Sequence, residues 1–118
     1  MSSSTALKTA AEHKQEGNDA LIAAFEAFDE AGENRARDAV ATIANEIFDE
    51  PIETPLIYAT TLSPDVKAVR KEDAQDSLMD AYKAYKAANE LAVAERVARL
   101  GKEVMGEEAW EEALAEEE

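Results

Sequence analysis

Over its first 33 residues this chain sorts acidic and apolar side chains onto opposite sides of one helical cylinder, and that sorting constrains the fold more than any other feature. Glu12, Glu16, Asp19, Glu26, Glu30 and Glu33 follow a three-and-four spacing interrupted only at Ala23. At about 3.6 residues per turn, such positions stay within a narrow arc as the helix climbs. Leu7, Ala11, Leu21, Phe25 and Phe28 fall on the opposite arc. A helix divided this way buries one edge against other helices and shows solvent a ridge of carboxylates.

The rest of the chain carries the same period. Ser2 to Thr5 supply N-cap candidates for the first helix, and Ala31-Gly32 closes it. Gly17-Asn18 is its weak point, costing about 1 kcal/mol relative to alanine, yet the apolar register runs through it and one long helix is expected. A second helix reads from about Asn34 to Phe48, with Val40, Ile43, Ala44 and Ile47 on one side, and Pro51 ends it. Residues 51–63 hold two prolines and a β-branched cluster with no helical period, so an extended connector is expected there. Ser63-Pro64-Asp65 then opens a third helix: the serine caps, the proline takes the first position, and the aspartate suits the positive end of the dipole. A break near Lys71 to Asp73 separates a short helix from a long one running from Leu78 through Leu100. Glu107 to Leu114 forms a last short helix with Trp110 and Leu114 turned inward.

These elements predict an all-α protein of one domain spanning residues 1–118, with frayed ends at 1–4 and 115–118. The architecture expected is three to four helices in an antiparallel or irregular bundle. Alanine, glutamate, lysine and leucine dominate from residue 65 onward, in keeping with that class. No repeat period stands out. Lys14-Gln15-Glu16-Gly17-Asn18 with Ala20 and Ala24 resembles the first helix of a tetratricopeptide repeat, but one partial copy cannot stack into an array.

Several function classes fall away. There is no cysteine, so disulfides and thiolate metal sites are excluded. The single histidine, His13, cannot supply the paired Glu-x-x-His ligands of a di-iron bundle. It reads as a surface residue, not a catalytic base, and no nucleophile elbow accompanies it. Asp29 to Asn34 comes nearest to a calcium loop and is better read as a helix end. No phosphate-cradling glycine loop is present. A non-enzyme without cofactor or metal is expected. No apolar run reaches the roughly 18–20 residues of a membrane span, and the N-terminus lacks the pattern of a secretory signal, so a cytoplasmic protein without membrane contact is expected.

Charge decides what remains. Acidic side chains number 27 against 12 basic ones, for a net charge of -15. Residues 1–64 carry 12 acids and 4 bases, and residues 65–118 carry 15 acids and 8 bases, so the acidity belongs to the whole fold. The densest bases, Lys67, Arg70 and Lys71, are hemmed by Asp65, Glu72 and Asp73. Direct nucleic-acid binding needs a positive face that releases counterions, and this surface has the wrong sign. A polyanion imitation fits better. Along the first helix the six acids give roughly one charge every 5–6 Å, against about 3.4 Å per phosphate on one DNA strand. Further rows are supplied by Asp38, Glu46, Asp49 and Glu50, and by Glu107, Glu108, Glu111 and Glu112.

Ala39-Val40 and Ile47-Phe48, then Pro64-Asp65 with Lys67 and Val69, and finally a glutamate-rich tail, resemble phrases of one family. It is the small acidic anti-restriction proteins of short-tailed bacteriophages, the overcome-classical-restriction DNA mimics. The resemblance implies a phage-encoded inhibitor acting in the host cytoplasm, a homodimer that occupies the DNA groove of restriction-modification enzymes. The matching phrases are packing positions, so the partner-binding acids are nominated from spacing alone. The competing expectation is a structural or assembly protein, a virion or oligomer component, whose acidity serves solubility or salt adaptation. It would use Ile52 to Leu62 with Tyr82 and Tyr85 as its seam.

Overall fold

The computed structural model describes residues 9–48 and 63–117. Among them are five α-helices and no strand: α1 (Ala10–Glu30), α2 (Asn34–Ile47), α3 (Pro64–Ala87), α4 (Leu91–Met105) and α5 (Glu107–Glu117). The all-α class is as expected, and the count exceeds the expected three to four. Apart from Ser63, the connector lies outside the described residues, as do Ser2 to Thr5, Leu7, Asp49 and Glu50.

Local chemistry accounts for the boundaries. α1 is capped by Thr9, whose hydroxyl accepts from the Glu12 amide at 3.1 Å while the Glu12 carboxylate accepts from the Thr9 amide at 3.0 Å. That reciprocal pair satisfies two orphan donors at once. Ser63 caps α3 through the Val66 amide at 3.3 Å, with Pro64 in the first turn. No break interrupts α3 at Lys71 to Asp73: Lys71 and Glu72 are good helix formers, and neither glycine nor proline stands there to stop the helix. The break falls instead at Ala88–Glu90 and splits the expected Leu78–Leu100 helix into α3 and α4.

That break has a twin. At the end of α1, Gly32 adopts a left-handed φ of 75°, its amide donates to Asp29 O, and the Glu33 amide donates to Phe28 O. At the end of α3, Asn89 adopts φ 65°, its amide donates to Lys86 O, and the Glu90 amide donates to Tyr85 O. Both are Schellman turns, and in both the next glutamate becomes the N-cap residue of the following helix. The turns lie 57 residues apart, and so do Leu21 and Leu78, Ala24 and Ala81, and Val40 and Val97, all fully buried. Aligned at this offset without a gap, residues 9–48 and 66–105 are identical at 11 of 40 positions. The fold is therefore a doubled helical hairpin, contrary to the expectation of no repeat. The shared residues are mostly alanine, leucine and valine at packing positions, which an alanine-rich helical sequence disguises.

The two hairpins pack with α1 against α3 as the closest pair, flanked by α2 and α4, which meet along a shorter seam. α1 and α3 run antiparallel: Glu30 meets Arg70 at one end, and Lys14 meets Glu90 at the other. Gly17 lies beneath the Tyr85 ring, where an added Cβ would sit 2.8 Å from ring carbons. The glycine that looked like a weak point in the helix is there for close approach. Tyr85 is fully buried, and its hydroxyl donates to Asn18 Oδ1 at 2.6 Å. Tyr82 is half-buried beneath Trp110. Of the expected oligomer seam, Ile52 to Leu62 lies outside the described residues, Tyr85 is buried within the chain, and Tyr82 stays partly exposed beside Trp110.

Candidate functional site: the acidic surface

The nominated carboxylates divide by what surrounds them. On α1, Glu12 is held in the capping box, Glu16 lies 3.1 Å from His13 Nδ1, and Asp19 accepts from Gln15 Nε2 at 2.9 Å. His13 is partly exposed at the surface of α1. Glu26 is exposed. Glu30 accepts from Arg70 Nε at 2.9 Å. Glu33 stands beyond α1 as the α2 N-cap residue and faces Lys71 Nζ at 3.9 Å. The C-terminal end of the ridge is therefore met by cations of α3. On α2, Asp38 lies 3.0 Å from Arg37, and Glu46 takes both prongs of Arg96, the second at 3.0 Å. Hydrogen bonding from Arg96 holds the Glu46 carboxyl below the usual carboxylate range.

α5 is different. Gly106, at φ 95°, turns the chain back so that Trp110 enters between α3 and α4. Its indole stands edge-on to Tyr82, with ring centroids 5.6 Å apart, and covers Gly101, where any side chain would collide with it. Leu114 adds a half-buried contact, as expected. With one face so anchored, Glu107, Glu108, Glu111, Glu112 and Glu116 are all exposed, and none faces a cation among the described residues. Glu107 and Glu108 also occupy the first turn, where the helix dipole favours negative charge.

Spacing arguments missed one acid and its partner. Asp29 is buried, and Arg37 donates to it at 2.8 Å across the α1–α2 turn. That hydrogen bond, with Asp38 nearby, raises the Arg37 pKa against the opposing effect of burial. Its sequence signal is weak: an acid beside the α1 stop and an arginine one turn into α2. The pair is structural, closing the first hairpin. Among the described residues, no group of three or more His, Asp or Glu is placed to hold a metal ion. No described helix is long and apolar enough to cross a membrane. No family profile, curated protein or solved structure matches the chain.

Proposed function

We propose that this protein is a non-enzymatic interaction protein that presents carboxylates as a substitute for nucleic-acid phosphates, occupying and inhibiting a DNA-binding enzyme. The observation that carries this reading is α5, a helix pinned by a buried tryptophan whose exposed glutamates face no cation among the described residues. From Glu107 to Glu116, five carboxylates occupy a rise of ~13.5 Å, one per ~3.4 Å of axis, which matches the axial rise per phosphate of one DNA strand. Exposed Glu12, Asp19 and Glu26 on α1 extend the negative surface at lower density. Affinity of this kind comes from complementary charge and is screened by salt. The resemblance to phage anti-restriction proteins points the same way and names restriction endonucleases as the first enzymes to assay.

The test is inhibition of DNA cleavage by such endonucleases in low-salt buffer, with the intact chain and a variant in which Glu107, Glu108, Glu111 and Glu112 become lysine. Inhibition that falls with salt, competes with heparin and disappears in the folded variant supports the proposal. Inhibition unchanged by the four reversals rejects it. Absence of inhibition, together with loss of helicity in dilute buffer, favours the alternative in which acidity serves salt adaptation of a structural protein.

A further inference from the structure

α5 holds its place against its own charge. Residues 107–118 carry seven acids and no base, while residues 1–106 carry 20 acids and 12 bases, so both parts are negative. Within the helix, Glu107 with Glu111, Glu108 with Glu112, and Glu112 with Glu116 are like-charged pairs one turn apart, an arrangement that weakens a helix. Glu116 also stands in a last turn without a base, the end at which the dipole disfavours negative charge. At 11 residues, α5 is shorter than the about 12–15 that a helix needs to persist alone in water. It is helical because it is docked.

Docking rests on one anchor and one joint. Trp110 is buried against Gly101 and Tyr82, with Ala113 and Leu114 half-buried beside it. A Cβ at Gly101 would lie 2.2 Å from the indole, so the seat is shaped for this side chain. The joint is Gly106, whose φ of 95° suits glycine. Among the described residues, no atom beyond its chain neighbours lies within 4 Å of the place its Cβ would take. The chain can swing there without displacing the body formed by α1 to α4.

We propose that α5 is a salt-gated latch. With its glutamates screened or neutralised it closes, burying Trp110 and holding the carboxylates in a fixed row. In dilute solution, repulsion within the helix and from the negative body opens it about Gly106, and the segment loses its helix as it leaves. Such repulsion reaches about 30 Å at 0.01 M salt but only about 3 Å at 1 M, whereas burial of the indole is not screened. A cationic partner acts as salt does: what neutralises α5 favours closure, and by linkage closure favours that partner. The latch itself needs no partner, so its test stands apart from that of the polyanion reading.

The lone tryptophan reports the latch directly in the intact chain. Its fluorescence emission and its quenching by acrylamide are followed from about 1 M down to about 0.01 M sodium chloride, with circular dichroism recorded alongside. On dilution the emission should move to longer wavelength, and the quenching constant should rise at least ~3-fold as the screening length grows about tenfold. The helical signal lost should match the 11 residues of α5 and no more. A variant carrying Glu111→Gln, Glu112→Gln and Glu116→Gln keeps both first-turn glutamates and should hold Trp110 buried at every salt concentration. Tryptophan signals indifferent to salt, an equal response in the triple variant, or loss of helix across the whole chain would overturn the proposal.

Discussion

The two hairpins share a backbone plan and secure it differently. Both turn through a left-handed residue into a glutamate, and both bury leucine, alanine and valine at matched positions. The first hairpin is closed by a buried charge pair, Asp29 with Arg37. At those positions the second carries Lys86 and Ala94, and Lys86 instead lies over the Tyr82 ring at 5.5 Å from its centroid. The second is closed from outside, by Trp110 of α5 set on Gly101, whose twin is Ala44. Turn hydrogen bonds and the size of interior side chains define the hairpin, while the closing device is interchangeable.

The aromatic closure carries the largest effect. Trp110→Ala should cost about 3–5 kcal/mol, the range for emptying a site of that size. Urea denaturation followed by circular dichroism measures it, and hydrogen exchange should rise in α4 more than in α2. A loss below about 1 kcal/mol would show that α5 is an appendage and not a closure.

Next comes the charge closure. Arg37→Ala leaves the Asp29 carboxylate buried without its partner, at a cost of about 3 kcal/mol. Asp29→Leu combined with Arg37→Met should recover most of that stability, because replacing both members removes the uncompensated charge. If the single and double variants melt alike, the pair does not secure the first hairpin.

Gly17→Ala is a closer contest. Alanine gains about 1 kcal/mol in helix propensity, but the new methyl group meets the Tyr85 ring, and overpacking costs about 1–3 kcal/mol. A net loss is expected. Ala74→Gly at the twin position should also destabilise, by about 1 kcal/mol through propensity and by about 0.8 kcal/mol more through loss of a fully buried methyl group. A Gly17→Ala variant more stable than the parent would mean that Tyr85 moves aside freely.

The smallest effect is invisible at neutral pH. Burial, followed by the charges of Glu90 and Asp19, pushes the Tyr85 phenol well above its ordinary value. Folding thus favours the protonated phenol. Its contribution is complete below the ordinary tyrosine value and is lost as pH rises from there toward the elevated one, since the unfolded chain ionises first. Thermal midpoints should therefore fall above about pH 10, the unperturbed tyrosine value. Tyr85→Phe should flatten that decline, and an unaltered slope would place the alkaline sensitivity elsewhere.

Much of this was legible from sequence where punctuation is strong. Gly32 marks the end of α1, Ser63-Pro64 marks the start of α3, and the lone tryptophan could be placed inward. The Ala88-Asn89 turn was not legible, because alanines favour helix and asparagine in a left-handed turn leaves a fainter mark than glycine. The acids of the candidate site were legible as positions, not as environments. Glu30, Glu33 and Glu46 meet cations on α3 and α4, between 38 and 50 residues distant in the chain, and no local spacing reveals such partners.

The 57-residue offset has a practical consequence. Leu21 and Leu78, or Val40 and Val97, are the same side chain at corresponding places in one molecule, and they melt under the same solvent and temperature. Truncating each in turn holds the deleted atoms constant and varies only what surrounds them. The difference between the two measurements is then a direct reading of how neighbouring packing sets the penalty for a cavity.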